Sequence, residues 1–413
     1  MTQKQAFEIL KQGHNIYLTG AAGSGKTFLL NQYIDWLKKK QINVAITAST
    51  GVAATHLNGI TIHSWAGIGI KDKFSDLELK QLLKKSYLKK RFVNTRVLVI
   101  DEVSMLHSFR LDLVDRVCRV FCKNNLPFGG IQVVLCGDFF QLPPVSSGNE
   151  SSEFIYKSDA WQKMNIKICY LEHQFRQTDN QFNQLLNEIR SNSISAGSKA
   201  LLMSRHNKDL DISLTPTRLY THNIDVDVIN GTELEKLAGP SKTYDMTGHG
   251  QEILVNILRQ NCLAPTRLVL KKNAIVMFIK NNYTEGYVNG TLGKIIDFNE
   301  LKYPIVQTLA GNTIIASPVE WNIEEEGATK ASIKQIPLRL AWAITVHKSQ
   351  GMSLDAAVID LSKTFLAGMG YVALSRVRSL AGIKLLGIND MAFKVHEDAI
   401  KIDAELMRMS KLL

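Results

Sequence analysis

The chain has 413 residues, 45% of them hydrophobic, a size that can bury the cores of about two to four domains. No apolar run approaches the ~20 residues that a membrane-spanning helix requires, and the N-terminal "MTQKQAFEIL" lacks a signal-peptide pattern, so we expect a cytoplasmic protein with no membrane partner. The net charge of +11 favours a polyanionic partner without identifying nucleic acid. The five cysteines have no zinc-site spacing and are expected to be free thiols.

The first part of the chain alternates helical patterns with short apolar strands. A helical stretch precedes the strand "NIYL", and further strands are predicted at residues 43–47, 96–101, 131–138 and 166–171. Short apolar strands separated by helices indicate a parallel sheet covered on both faces. We therefore predict an α/β domain over residues 1–172.

Two further regions follow this domain. Residues 173–280 and 337–413 contain helical patterns and buried strands such as "AAVIDL", which predict a second α/β domain. Between them, residues of about 281–336 show strand patterns and hairpin signals, among them the Asn289-Gly290 pair. We interpret this segment as a small β-barrel inserted in the second domain.

The segment "GAAGSGKT" lies between an apolar strand and a helix, which is the context of a phosphate-binding loop. In such a loop backbone N–H groups surround the phosphates, the lysine neutralises them, and the threonine hydroxyl faces Mg²⁺. The sequence therefore predicts a nucleotide site made by Gly20, Ala21, Ala22, Gly23, Ser24, Gly25, Lys26 and Thr27.

Polar residues end two of the following strands. Asp101 and Glu102 come directly after "VLVI", where the first acid would hold Mg²⁺ and the second would polarise the attacking water. Gln141 follows the strand of residues 131–138, and its amide is suited to sensing the γ-phosphate or the lytic water. Because the carboxyl ends of parallel strands lie at one edge of a sheet, we expect these residues to meet Lys26 there.

The motifs "GAAGSGKT", "TASTGVAATHLNGITIHSWAGIGI", "IDEVSM", "GDFFQLPP", "FRQ", "VHKSQG" and "YVALSRVRS" occur in this order along the chain. The set resembles superfamily-one DNA helicases, and the stretch of residues 101–121 is similar to the signature of the Pif-type branch, a relative of the RecD-type helicases. The resemblance covers almost the whole chain.

The resemblance implies two RecA-like P-loop NTPase domains with ATP and Mg²⁺ in the cleft between them. It implies 5′-to-3′ translocation on single-stranded DNA and unwinding of forked duplex DNA, G-quadruplex or RNA–DNA hybrid by a monomeric motor, in replication, repair, recombination or telomere-type maintenance. It also implies that the inserted barrel is Src-homology-like and that an element near residues 65–92 acts as a wedge.

Residue roles follow from the same resemblance. Arg176 and Arg376 match the two arginines that reach the γ-phosphate from the second domain, and a planar cation delivered across a closing cleft suits a transition state. Either Gln3 or Gln5 matches the residue that reads adenine, with Gln3 preferred. Gln350 and Gly351 are expected to face the nucleotide.

The expected DNA contacts come from two segments, with Trp65 or Phe74 available for stacking near the duplex junction. They are Thr50, Gly51, His63, Ser64, Trp65, His347, Lys348 and Ser349. The lysine-rich stretch of residues 77–96 is a further candidate for DNA proximity.

Two other functions stay open on sequence grounds. A nucleotide-switched protein that binds single-stranded DNA without processive unwinding would keep Lys26 and Asp101, although it would need no arginines from a second domain. An RNA helicase is a weaker alternative, because the motif set resembles that of DNA motors.

Overall fold

The computed structural model describes residues 1–69, 75–144, 153–177, 179–211, 216–221, 226–282, 284–325 and 328–413. Phe74, the alternative stacking residue, lies outside these ranges. Among the described residues no helix is long and apolar enough to cross a membrane.

The first domain is built on a six-stranded parallel sheet with the order β3-β2-β4-β5-β1-β6. Its strands are β1 (Ile16–Gly20), β2 (Val44–Ala48), β3 (Ile60–Thr61), β4 (Val97–Asp101), β5 (Gln132–Cys136) and β6 (Lys167–Leu171). Its helices are α1 (Gln3–Lys11), α2 (Lys26–Lys39), α3 (Gly51–His56), α4 (Ile62–Trp65), α5 (Asp76–Leu83), α6 (Ser86–Asn94), α7 (Ser108–Cys122) and α8 (Asp159–Lys163). Helices cover both faces of the sheet, so the central strands β1 and β4 are buried along their whole length.

The second domain begins with α9 (Asn180–Arg190), α10 (Ala196–Met203), β7 (Thr217–Tyr220) and α11 (Val226–Glu235). An antiparallel region follows, with β8 (Lys242–Asp245), β9 (Thr247–Gly250), α12 (Glu252–Asn261), β10 (Arg267–Leu270), β11 (Ile275–Phe278), β12 (Leu292–Phe298), β13 (Pro304–Thr308), β14 (Thr313–Ile315), β15 (Val319–Glu325), β16 (Ala328–Gln335) and β17 (Leu338–Leu340). The domain resumes with β18 (Ala343–Thr345), β19 (Ala357–Leu361), α13 (Met369–Ser375), β20 (Ile383–Ile388) and α14 (Glu397–Lys411). Its sheet is parallel, in the order β18-β7-β19-β20.

The inserted region is larger than the 281–336 segment that the sequence suggests. Strand β11 pairs antiparallel with both β12 and β17, so a boundary at residue 280 would divide a single five-stranded sheet of order β14-β13-β12-β11-β17. A second sheet, β15-β16-β9, begins before residue 281 as well. On the basis of these strand pairings, we propose that the insertion runs from β8 to β17. Its closure into a barrel stays a prediction.

The segment expected to act as a wedge contains α5 and α6, which pack on α7. Phe92 of α6 is fully buried and stacks on Phe121 of α7 at 4.6 Å between ring centroids. Trp65 of α4 packs on the other side of Phe92, at 4.7 Å. Most lysines of this segment are exposed, whereas Arg91 donates to the Trp65 carbonyl oxygen at 2.8 Å and so helps to hold the helices together.

Phe92→Ala should lower the free energy of unfolding of the first domain by about 3 to 5 kcal/mol, because it leaves a cavity between Trp65 and Phe121. The neighbouring Val93 is 52% exposed, so Val93→Ala is a matched control that should change stability by no more than about 0.5 kcal/mol. Urea denaturation curves, recorded by tryptophan fluorescence, give the free energy of unfolding of both variants. Equal effects of the two substitutions would contradict the packing role of Phe92.

Candidate functional site

The phosphate-binding loop joins β1 to α2. Gly20, Gly23 and Gly25 have φ values of 143°, 84° and 81°, a left-handed region that residues with a Cβ rarely adopt. Lys26 begins α2, and its ammonium donates to the carbonyl oxygens of Gly20 (2.9 Å) and Ala21 (3.1 Å). The lysine is therefore held at the mouth of the loop, beside the backbone N–H groups of the helix N-terminus.

The structure distinguishes between the two glutamines proposed to read adenine. Gln3 donates through Nε2 to the carbonyl oxygens of Ser24 (3.3 Å) and Gly25 (3.4 Å), so its side chain reaches the loop. The Gln5 side chain instead accepts from the Thr2 backbone N–H, completing the capping box of α1. Gln3 is thus the glutamine that contacts the phosphate-binding loop, and adenine recognition by Gln3 stays a prediction.

Asp101 and Glu102 form a desolvated carboxyl pair where β4 ends. Burial raises the pKa of Asp101. Burial and the adjacent Asp101 charge raise the pKa of Glu102 to about 7, while Lys26, Arg376 and a hydrogen bond from Gln350 oppose the rise. Glu102 also has left-handed backbone angles (φ 52°), which turn its side chain out of the strand and into the cleft.

The side chain of Gln350, from the second domain, forms hydrogen bonds with the residues that follow strands β4 and β5 of the first domain. Gln350 is 9% exposed, and its Nε2 donates to Glu102 Oε2 at 3.0 Å and to Gln141 Oε1 at 3.2 Å. Gln141 and Glu102 thus lie close together, and the amide of Gln350 faces both. The three side chains form one hydrogen-bonded cluster across the domain boundary.

Both arginines expected from the resemblance reach the same cleft. Arg176 Nη1 donates to the Ser375 carbonyl oxygen at 3.1 Å, and the backbone N–H of Phe175 donates to the Gly23 carbonyl oxygen at 2.9 Å. Burial and the neighbouring Arg376 lower the pKa of Arg176 to about 9, which still leaves it charged at neutral pH. Arg376 is 2% exposed and lies close enough to Glu102 for the two charges to interact.

The cleft extends from the phosphate-binding loop to the inserted region and has a volume of about 1180 Å³. Its lining includes Thr50 on one side and His347, Lys348 and Gly351 on the other. Burial lowers the pKa of His347, so near neutral pH its ring is a neutral hydrogen-bonding group and the exposed Lys348 supplies the positive charge.

Four of the residues expected to contact DNA are either buried or lie outside the cleft. Trp65 is 3% exposed and belongs to the core around Phe92, so it is not available for stacking on a base. Ser349 is fully buried, and its hydroxyl donates to the Val346 carbonyl oxygen at 2.7 Å to close the turn. His63 and Ser64 are partly exposed on α4 but do not line the cleft.

Gly51 lies at the start of α3, against the inserted region. A Cβ built on it would come within 1.8 Å of Asn261 Oδ1 in α12, so only glycine allows this approach. Thr50 caps the same helix by accepting from the Ala53 N–H.

Sequence reasoning missed a junction between three parts of the chain. His56 at the end of α3 shares a hydrogen bond with Asn289 of the insertion (Nε2 to Nδ2, 3.2 Å). The Asn289 carbonyl oxygen accepts from the Ser353 backbone N–H at 3.2 Å, next to the loop that carries Gln350. Burial lowers the pKa of His56 to about 4, so its ring is neutral. The Asn289-Gly290 pair indicated a turn at this position, but no local sequence pattern indicated the contacts with His56 and Ser353.

Comparison with known proteins identifies the family. A family model described as PIF1-like helicase matches residues 1–199, and one described as the 2B domain of DNA helicase Pif1 matches residues 254–298. The chain is 45% identical to the ATP-dependent DNA helicase Pif1 of Psychrobacter sp., over 99% of this chain and 71% of that protein. The chain belongs to the PIF1-like helicase family. Human PIF1 is 35% identical over 98% of this chain, which spans only 63% of that relative.

Solved structures of the PIF1-like family share the fold. Bacteroides Pif1 in complex with ADP-AlF4 has a TM-score of 0.81 and 29% identity, covering 98% of this chain and 96% of that one. Bacteroides Pif1 with ADP-AlF3 and single-stranded DNA has a TM-score of 0.64 and 31% identity, covering 99% and 97%. The RecA-like fold class expected from the motifs is therefore correct.

The raised pKa of Glu102 predicts how ATP hydrolysis depends on pH. If Glu102 must be ionised to accept a proton, kcat/KM for ATP should rise with pH through about 7 in this PIF1-like protein. Gln350→Ala removes a hydrogen bond that favours the carboxylate, so the midpoint should move to higher pH. Gln184→Ala, which removes an exposed glutamine bonded to Glu188 at 2.9 Å, is the matched control and should leave it in place. A midpoint near the ordinary glutamate value would refute the assignment.

Proposed function

We propose that this protein is an ATP-dependent DNA helicase that moves 5′ to 3′ on single-stranded DNA and unwinds duplex. The observation that supports it most is the contact of Gln350 with both Glu102 and Gln141. Gln350 belongs to the loop that also places His347 and Lys348 in the adjoining groove. A change in the contacts of Gln350 when ATP is hydrolysed would therefore displace His347 and Lys348 in the groove, because the three residues belong to the same short loop.

The chain's own side chains account for the ATP chemistry. Lys26 would neutralise charge on the β- and γ-phosphates as they enter the loop, and Glu102 would accept a proton from the attacking water. Gln141 would hold that water or sense the γ-phosphate. Arg176 and Arg376 would stabilise charge that develops in the transition state, because guanidinium groups stay protonated even in this buried cleft.

A magnesium ion fits the residues at the end of β4 and the start of α2. Asp101 is a buried carboxylate whose pKa is raised, so a nearby cation would favour its charged form, and Thr27 lies exposed in the first turn of α2. Within the described chain, the buried Ser24 Oγ in the loop has no hydrogen-bond partner, which suits a polar ligand. Mg²⁺ bound by Thr27 and Asp101 would offset phosphate charge.

The DNA strand is proposed to lie in the groove beside Thr50, His347 and Lys348. Lys348 would pair with a phosphate, while the neutral His347 and the Thr50 hydroxyl would donate hydrogen bonds. The Bacteroides structure with ADP-AlF3 holds single-stranded DNA, which supports DNA as the partner here. We retain the monomeric motor as a proposal, as we do the 5′-to-3′ polarity.

A nucleotide-switched DNA-binding protein is the second candidate. It is less well supported, because Gln350 bonds to Glu102 and the charges of Arg176 and Arg376 interact with it from the second domain, as repeated hydrolysis requires. Strong stimulation of ATP turnover by single-stranded DNA favours the motor, and its absence favours the switch.

Glu102→Gln should reduce DNA-stimulated ATP hydrolysis by at least about a hundredfold, because the amide cannot accept the proton from water. Lys26→Ala should do the same by weakening phosphate binding. Affinity for single-stranded DNA, measured by fluorescence anisotropy, should stay within about twofold in both variants. Glu8→Gln, which changes an exposed acid on α1, serves as the control. Turnover retained by Glu102→Gln would exclude Glu102 as the base.

Unwinding should be seen on duplexes with a 5′ single-stranded tail and not on blunt or 3′-tailed duplexes. A strand-displacement assay with Mg²⁺ and ATP measures it, and tails of RNA in place of DNA test the RNA alternative. A preference for 3′ tails would refute the polarity, and equal activity on RNA tails would refute DNA specificity.

A further inference from the structure

A second cluster joins the two domains behind the cleft, and its charged and aromatic side chains have no role assigned above in binding ATP or DNA. It centres on Arg190, at the end of α9, and Asp138, which follows β5. Arg190 Nη1 donates to Asp138 Oδ1 at 2.9 Å and to Oδ2 at 2.8 Å. The Asp138 side chain is 1% exposed and that of Arg190 is 9% exposed, so this ion pair is almost fully desolvated.

Tyr371 of α13 completes the cluster, and its hydroxyl uses its full hydrogen-bonding capacity. It accepts from the Ala22 backbone N–H of the phosphate-binding loop at 2.9 Å and from Arg190 Nη1 at 3.1 Å. It donates to Asp138 Oδ2 at 3.4 Å. A tyrosine hydroxyl has one proton to donate and two lone pairs, so no capacity is left over.

The surroundings hold the cluster rigid. The Arg190 guanidinium lies 4.0 Å from the centroid of the Phe140 ring, and its Nη2 donates to the Tyr170 hydroxyl at 3.0 Å. Tyr170 in turn donates to Asp403 of α14 at 2.9 Å. Strand β5, strand β6 and the phosphate-binding loop of the first domain thus meet α9, α13 and α14 at one point.

Helix α13 ends at Ser375, and Arg376 is its C-terminal cap. The N-terminal cap of the same helix, Gly368, lies against the backbone of Gln141, where an added Cβ would come within 2.6 Å of the carbonyl oxygen. One short helix therefore touches Gln141 at its start, the phosphate-binding loop through Tyr371, and the cleft through Arg376.

We propose that Tyr371 and Arg190 are positioning residues for ATP hydrolysis, which fix α13 against the phosphate-binding loop so that Arg376 stands at the correct distance from Glu102. The inference rests on the proposed function, in which Arg376 stabilises the transition state. A small displacement of a catalytic group has a large effect on rate, so the hydroxyl of Tyr371 contributes to turnover without touching ATP.

Tyr371→Phe is a conservative substitution that tests the inference, since it keeps the ring and removes only the hydroxyl. We expect kcat for DNA-stimulated ATP hydrolysis to fall about tenfold while KM for ATP and the affinity for single-stranded DNA change by less than about twofold. Tyr33→Phe is the matched control, because Tyr33 is also buried and its hydroxyl bonds to Gln132 at 3.1 Å on the far side of the sheet. It should leave kcat unchanged.

A double-variant cycle separates positioning from general destabilisation. If Tyr371 acts through Arg376, then Tyr371→Phe combined with Arg376→Ala should be no slower than Arg376→Ala alone. Multiplication of the two rate losses, or a kcat of Tyr371→Phe within about twofold of the unmodified protein, would overturn the inference. If Arg376→Ala itself keeps full turnover, the role proposed for Arg376 fails instead, so the two failures are distinguishable.

Arg190 provides an independent variant pair. Arg190→Lys keeps the charge beside Asp138, whereas Arg190→Gln leaves that buried carboxylate without a cation. Because the positioning depends on the geometry of the guanidinium, both variants should lower kcat, with the lysine variant retaining the melting temperature better. Full turnover in Arg190→Lys would exclude a geometric role for Arg190.

Discussion

The adjacent carboxyls of buried Asp101 and half-buried Glu102 are the constraint on which the cleft depends. Burial raises the pKa of Asp101, whereas burial and the adjacent Asp101 charge together raise the pKa of Glu102. Lys26 of the first domain opposes both shifts. The remaining stabilisation of Glu102 comes from Gln350 and Arg376 of the second domain, so the electrostatics of the site depend on how the two domains are packed.

Two sets of contacts near the cleft join the domains, in addition to those that α14 makes with the first domain. Within the cleft, Gln350 bonds to Glu102 and Gln141, and Arg176 lies against Gly23 of the phosphate-binding loop. Behind the cleft, Arg190 forms a desolvated ion pair with Asp138, and the Tyr371 hydroxyl accepts from the Ala22 backbone N–H. The loop that carries Gln350 also carries Lys348. The Asn289 turn of the insertion is hydrogen-bonded to Ser353, which follows this loop. The cluster around Glu102, the groove proposed for DNA and the inserted region therefore share one loop of the second domain.

Several sequence-based expectations failed for a common reason. Trp65 and Ser349 lie within motifs that suggest ligand contacts, yet Trp65 is buried against Phe92 and the Ser349 hydroxyl closes its own turn. A motif shows that a segment is near a ligand but not which side chains point toward it. The boundary at residue 280 placed β11 in the second α/β domain, although β11 pairs with strands of the insertion. This strand is apolar throughout, and a short apolar run has the same sequence pattern in a parallel and in an antiparallel sheet.

The sequence by itself predicted most of the parallel strands of the first sheet, the phosphate-binding loop and the acids that end β4, because each depends on residues adjacent in the chain. Tertiary structure alone decided that Gln3 rather than Gln5 reaches the loop, that Asn289 meets His56, and that Arg190 pairs with Asp138. The last two contacts join residues 233 and 52 positions apart. No local periodicity or spacing encodes such a pairing, since it arises only when helices and strands pack against one another.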